Sequence, residues 1–251
     1  MYYYDDPEFS YPAFWRTREY EHEAELLAIE RLLGERRFET AVDIGGGFGR
    51  LAECLSRYAR KVIVIEPSEL QRTLLASFSP ETIVKEGNAL DTGLPVKSCD
   101  LAVMVRVAHH LPDVQESFEE IYRILKPGGY VILEFANSAH LKSRLRNFMK
   151  FRSVPLESVQ VNKKEKEITF LNHHPTTIKK MLHQTGFIIV SELSVSNFRS
   201  IILKKVFSVQ TLLRFEQATQ RLFAPMHSGP SVFVLARRPG TLKSLGLSRT
   251  K

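Results

Sequence analysis

The residues whose types and spacing could do chemistry gather first around a glycine turn. Ala41-Val42-Asp43-Ile44 is an apolar run holding one acid, and Gly45, Gly46, Gly47 and Gly49 follow within five positions. Glycine supplies positive φ or lets backbone approach a ligand, and each one costs conformational entropy, so four in one turn imply a ligand. Apolar residues at helical spacing resume at Leu51. Strand, tight turn and helix then place that ligand above the carboxyl end of a strand and at a helix N-terminus. The dinucleotide pattern Gly-x-Gly-x-x-Gly is excluded, because its third glycine, counted from Gly45, falls at Arg50. A P-loop is excluded too, since no Gly-Lys-Ser/Thr closes the turn. A second group is Glu66, which ends the β-branched run from Lys61, 21 positions beyond Gly45, and precedes Pro67. An acid at that place accepts hydrogen bonds from both hydroxyls of a ribose. A third group is His109-His110, whose imidazoles titrate near neutral pH and suit a general base.

Blocks from Ala41 to Phe135 resemble, in order, the motifs of class I S-adenosylmethionine-dependent methyltransferases. Asp43-x-Gly45-x-Gly47-x-Gly49 is similar to the family's first motif and Glu66 to its second cofactor residue. Gly87-Asn88-Ala89 stands before Leu94-Pro95, as a Gly-Asp-Ala stretch does in the family. Arg106-Val107-Ala108-His109-His110-Leu111-Pro112 resembles the fourth motif of the subfamily typified by ubiquinone/menaquinone-biosynthesis C-methyltransferases, and Leu125-Lys126-Pro127-Gly128-Gly129 follows as it does there. The resemblance implies a Rossmann-like α/β fold, with a seven-stranded mostly parallel sheet, an antiparallel last strand and helical cap insertions. It implies S-adenosyl-L-methionine as cofactor, held by Asp43, Gly45, Gly46, Gly47, Gly49, Glu66, Pro67, Asn88, Ala89, Arg106 and Val107. Asn88 departs from the family's acid; its carbonyl is expected to accept from the adenine amine, with Asp91 the alternative. Arg106 is a cation where a small or polar residue is usual, and its side chain is expected to meet an anionic substrate or the cofactor's carboxylate. The leading segment is expected to close the site through Trp15, Arg18 and Tyr20, with Arg18 pairing with the methionine carboxylate. His110 and His109 are the candidate catalytic groups. The implied reaction is in-line displacement at the sulfonium methyl, in which positioning supplies most of the rate.

These groups need elements to hold them. A helix is expected from Tyr20 to Leu33, stopped by Gly34, and another behind the cap Ser68. Strands are expected near 40–44, 61–66, 82–85, 130–135, 187–193 and 231–236, with one more running into the histidine pair. Val114 to Leu125 is amphipathic, and Asn137 to Arg152 reads as a basic amphipathic helix with Leu141, Leu145, Phe148 and Met149 on one face. Residues 153–170 read as an irregular or hairpin insertion, and one or two cap helices are expected between Asn197 and Ala224. The chain divides into a lid segment and helix (1–40), a cofactor-binding core (41–136), cap insertions with the last strands (137–238), and a tail expected to be disordered (239–251).

A chain of 251 residues with 43% hydrophobic and 25% charged content is globular in composition. No apolar run of about 18 residues is present, and the acidic, aromatic start Met1 to Asp6 is unlike a signal peptide. Cys54 and Cys99 are far apart and no Cys/His cluster has zinc spacing, so reduced thiols, a cytoplasmic setting and no metal are expected. The net charge of +7 hides a split. Residues 1–136 carry 15 Lys and Arg against 23 Asp and Glu (−8), and residues 137–251 carry 20 against 5 (+15). The basic half points to something anionic: a small-molecule or lipid-like acceptor with an anionic group, an anionic membrane touched peripherally, or RNA. RNA methylation draws only on that charge, since no Asn/Asp-Pro-Pro-Tyr/Phe motif follows the fourth strand and no RNA-binding module is appended. A non-catalytic cofactor-binding protein is the reading from another class; the intact glycines, Glu66 and the histidine pair weigh against it.

Overall fold

The computed structural model describes residues 10–79, 81–161 and 170–240. The expectations for Met1 to Asp6, for the middle of the 153–170 insertion and for the tail beyond Gly240 lie outside the described residues. In chain order, α1 (Tyr11–Arg16) and α2 (Glu19–Leu33) lead into β1 (Phe38–Ile44), α3 (Ala52–Ser56), β2 (Ala59–Ile65), α4 (Glu69–Phe78) and β3 (Ile83–Lys85). Then come β4 (Cys99–Met104), a 3-10 turn at Ala108–His110, α5 (Gln115–Ile124), β5 (Leu125–Ala136) and α6 (Leu141–Phe148). The remainder is a two-stranded ribbon of β6 (Val159–Gln160) and β7 (Leu171–Asn172), followed by α7 (Pro175–Thr185), β8 (Ile188–Val195), α8 (Ile201–Val206), α9 (Val209–Thr219) and β9 (Ser231–Arg237).

The main sheet has seven strands in the order β3-β2-β1-β4-β5-β9-β8. The first five run parallel, and β9 inserts antiparallel between β5 and β8, as expected. Parallel strands covered on both faces read as nearly continuous apolar runs, and the inner residues of β1, β2 and β4 do. One face packs under α2, α3, α4 and α9 through Leu33, Leu55, Leu75 and Leu212, the other under α5 and α7 through Phe118, Ile121 and Leu182. The strand order reverses beside β1, and this opens a crevice at the carboxyl ends of β1 and β4, where ligands of open α/β sheets bind.

Three elements differ from the expectation. The glycine turn does not pass straight into a helix: Gly47 and Gly49 have φ of +57° and +85°, turns continue to Leu51, and α3 has five residues. Several of the turn's amides hold the fold itself: Gly45 N–H donates to Ile65 O, Gly47 N–H to Glu66 Oε2 and Gly49 N–H to Gly46 O. β5 begins at Leu125, because Lys126 to Gly129 stay extended with a register shift against β4. The basic helix is shorter than Asn137 to Arg152. Asn137 is buried, its amide donating to His227 O at 2.7 Å and Gly229 O at 2.8 Å, so α6 starts at Leu141 behind the N-cap His140.

Candidate active site

The crevice is built from the ends of β1, β2 and β4. Gly45 N–H donates to Ile65 O at 2.7 Å, locking the turn against β2. A Cβ on Gly49 would lie 2.1 Å from Leu75 Cδ1, and one on Gly45 would lie 2.4 Å from Val107 Cγ2, so backbone and neighbours approach as only glycine permits. Glu66 is 5% exposed; its Oε2 accepts from Gly47 N–H at 2.8 Å and its Oε1 from Ser68 N–H at 2.9 Å. Asp43 is 1% exposed and its Oδ2 has no hydrogen-bond partner among the described residues. Burial pushes its carboxyl up to about 7, with Arg50 opposing and Glu66 adding to the rise. A buried acid needs a partner. The orphaned oxygen, the turn without Cβ atoms and the anchored Glu66 fit a ligand bringing a cationic group and a ribose.

A methyltransferase domain family matches residues 42–133. A Mycolicibacterium smegmatis protein named "Probable S-adenosylmethionine-dependent methyltransferase" is 27% identical over 111 residues, 44% of this chain and 43% of that protein. The ubiquinone/menaquinone biosynthesis C-methyltransferase UbiE of Rubrivivax gelatinosus is 25% identical over 173 residues, 68% of this chain and 67% of that protein. Over this stretch the chain is similar to S-adenosylmethionine-dependent methyltransferases. Its fold matches a solved S-adenosylmethionine-dependent methyltransferase of Thermotoga maritima with a TM-score of 0.61 at 22% identity, over 91% of this chain and 94% of that one. The chain spans less than half of the mycobacterial relative.

Around the glycine turn, several expected residues are placed elsewhere or otherwise employed. Tyr20 does not close the site: it is 1% exposed, its hydroxyl donates to Glu216 Oε2 at 2.7 Å and accepts from Phe198 N–H at 3.0 Å, fastening α2 to α9. Arg18 lies with its guanidinium 4.2 Å from the centre of the Phe14 ring. Asn88 Oδ1 accepts from Leu90 N–H at 2.8 Å and Asp91 N–H at 3.1 Å, so both lone pairs hold its own turn and the expected carbonyl contact with an adenine amine is not available. Asp91 Oδ1 likewise accepts from Gly93 N–H at 3.0 Å. Pro67 carries the strand end into Ser68, which caps α4, and Ala89 is buried in the core beneath.

Arg106 has φ +64°, which turns its N–H onto Glu134 Oε2 at 2.9 Å. Its side chain does not await a substrate. Arg106 Nε donates to Glu25 Oε1 at 2.7 Å, and Arg50 Nη2 donates to Glu25 Oε2 at 2.7 Å. Glu25 is fully buried; burial alone would raise its pKa, but the two guanidiniums hold it below the usual carboxylate range. Trp15 covers the cluster, its ring 3.9 Å from the Arg50 guanidinium carbon, and Tyr11 lies over Gly47. Trp15 thus lies over the Arg50–Glu25–Arg106 cluster. Glu25, Arg50 and Tyr11 were missed by sequence reasoning. The readable signal was Glu21 and Glu25 falling on the same helical stripe as Ala24, Ala28 and Leu32.

The two histidines are not equivalent. His109 is buried and stacked on Phe170 at 5.3 Å, and its pKa lies well below the ordinary value through burial, His110 and Arg106. A neutral imidazole so reluctant to take a proton is a poor general base. His110 is half-buried, with its ring 4.9 Å from Phe170, and is the better placed of the pair. His173 is a latch, its Nε2 3.0 Å from Ala108 O and its Nδ1 2.9 Å from Ser158 Oγ, and His174 caps α7. Among the described residues no group of His, Cys, Asp or Glu could hold a metal, and both cysteines are free and buried.

A separate cavity of about 780 Å³ lies between the start of α6 and α8, with Leu141, Ile201, Ile202 and Phe223 in its walls and Lys142 and Arg199 among them. Arg199 reaches solvent, yet has no carboxylate in ion-pair distance among the described residues. Burial lowers its pKa and Arg106 lowers it further, while Glu21 and Glu134 oppose the shift, so this cation stands within electrostatic reach of the end of β4.

Proposed function

We propose that this chain is an S-adenosylmethionine-dependent methyltransferase acting on a small or lipid-like acceptor that carries an anionic group. The observation that carries the acceptor class is Arg199, a guanidinium with no carboxylate in ion-pair distance among the described residues, in a cavity wall where Leu141, Ile201, Ile202 and Phe223 mix with Lys142 and polar side chains. A cation so placed attracts an anionic group that enters, while Leu141, Ile202 and Phe223 favour an apolar body. S-adenosylmethionine supplies an activated methyl on a sulfonium. The chain's part is to hold and orient. Asp43 would meet the cofactor's ammonium, the turn Gly45 to Gly49 and Val107 would wall its body, and Glu66 would take the ribose hydroxyls. Trp15 and Tyr11 exclude water. His110 is the group that accepts a proton where the acceptor must lose one.

The test is methyl transfer from labelled cofactor into a fractionated cell extract. Label in the lipid or small-molecule fraction is expected; label in RNA would overturn the acceptor class. Binding of S-adenosylhomocysteine by calorimetry checks the cofactor site independently. Glu66→Ala is expected to weaken it about 10- to 100-fold through loss of charged hydrogen bonds, and Gly47→Arg to abolish it.

A further inference from the structure

The helix α6 is built inside out. Its single buried side chain is Ser143, whereas Leu145 and Phe148 are exposed, Phe148 to 78%, and Phe151 just beyond is fully exposed. Leu141, Leu145 and Phe148 stand at i, i+4 and i+7, one continuous stripe, and it faces away from the core. Across the cavity, α8 buries no side chain at all, and Ile201 and Ile202 are each 73% exposed. Leu141 and Ile201 line the same cavity, so the two apolar edges are its opposite lips. Soluble monomers seldom expose contiguous apolar patches of this kind without a partner for them.

Charge decides which partner. Residues 137–156 and 196–215 contain no Asp or Glu. Lys142, Arg144, Arg146, Lys150 and Arg152 flank the α6 stripe, all exposed, and Lys205 flanks α8. Lys204 is the exception, paired with Glu21 at 2.6 Å. A second copy docking by the same face would set these cations against each other. A polyanion such as RNA would satisfy the cations and leave Leu145, Phe148 and Phe151 in water. A surface that takes both is the headgroup and acyl boundary of an anionic bilayer, where apolar side chains insert and flanking Lys and Arg meet phosphates. We infer that the α6–α8 face docks on an anionic lipid bilayer, with the mouth of the cavity opening onto it. Docking stands by itself; only the loading of the cavity from the bilayer rests on the acceptor class proposed above.

Flotation of the full chain with vesicles tests this. With phosphatidylcholine vesicles containing about one-third phosphatidylglycerol the chain is expected to float, and with phosphatidylcholine alone to remain behind. Leu145→Ser combined with Phe148→Ser is expected to lower the vesicle partition about tenfold or more, and Arg144→Glu combined with Arg146→Glu to do the same. Neither pair touches the core, and unchanged S-adenosylhomocysteine binding verifies that each variant is folded. No flotation at low salt would overturn the inference. So would flotation that the serine pair leaves unchanged, which is the outcome for a purely electrostatic polyanion site. A dimer in sedimentation that the serine pair dissolves would assign the face to a second copy instead. The readout involves no methyl transfer, so flotation without activity counts against the acceptor reading alone, and labelled acceptor without flotation counts against the docking alone.

Discussion

Asp43 couples the cofactor site to pH. The folded chain keeps this proton up to about 7, against an ordinary value of 3.8. A carboxyl whose folded pKa is raised makes the ligand-free fold less stable as pH climbs from the lower value to the upper, with no further change above it. A cationic ligand group beside Asp43 favours the carboxylate, so binding expels the proton. Affinity for S-adenosylhomocysteine is therefore expected to rise by up to about tenfold per pH unit below 7 and to flatten above it. Calorimetry across that range checks the slope, and Asp43→Asn should erase it. Gly49→Ala is a second residue-scale prediction. It places a Cβ against Leu75 at φ +85°, and a loss of about 2–4 kcal/mol in denaturant unfolding is expected. Asp43, the glycines and Glu66 were legible in the sequence because strand end, turn and next strand end are local. The fate of Asn88 was not, since its carbonyl is taken by amides two and three residues on, and spacing does not distinguish a ligand contact from an Asx turn.

At the scale of elements, Glu25 makes α2 part of the site. One fully buried carboxylate ties α2 to the glycine turn through Arg50 and to the end of β4 through Arg106. His22 joins it, its Nδ1 2.8 Å from Arg50 Nη1, and burial together with Arg50 pushes that imidazole down to about 4, so the ring accepts from the guanidinium. Truncating the shared partner leaves two guanidiniums without their carboxylate. Glu25→Ala is expected to cost about 3–5 kcal/mol in urea unfolding, whereas replacing an exposed ion pair such as Arg60 with Glu39 should cost at most about 1 kcal/mol. At the far end of α2, Tyr20→Phe leaves the amide of Phe198 without its acceptor and removes one of several donors to Glu216, and about 1–3 kcal/mol is the expected loss. The helix itself was legible from Ala24, Ala28 and Leu32. Its partners were not: Arg106 is 81 residues from Glu25 and Glu216 is 196 from Tyr20, distances over which no periodicity speaks. Arg106 and Tyr20 looked like ligand residues for that reason.

At the scale of the molecule, the order of strands was readable from the order of the blocks, because each strand–helix unit carries its own apolar run and its own stop. The cap was readable in composition only. Leu145 and Phe148 are as apolar as core residues, and the sequence alone does not say that α6 turns them outward. The charge split also acquires a geometry: Glu192 is engaged by Lys179 and His227, and Glu216 is buried, so the basic half meets solvent with little acid to offset it. The roof over the glycine turn has a further consequence, and it concerns time rather than affinity. α1 is six residues long, holds Tyr11 against the face of Gly47, and rests on the guanidinium of Arg50 through Trp15. If product leaves past Tyr11, that short helix must lift first, and release rather than alkylation is then expected to limit turnover. Steady-state rate should then fall in proportion to added microviscogen, a pre-steady-state burst of methylated product should precede it, and Trp15→Ala should shorten the dwell of S-adenosylhomocysteine in stopped-flow displacement.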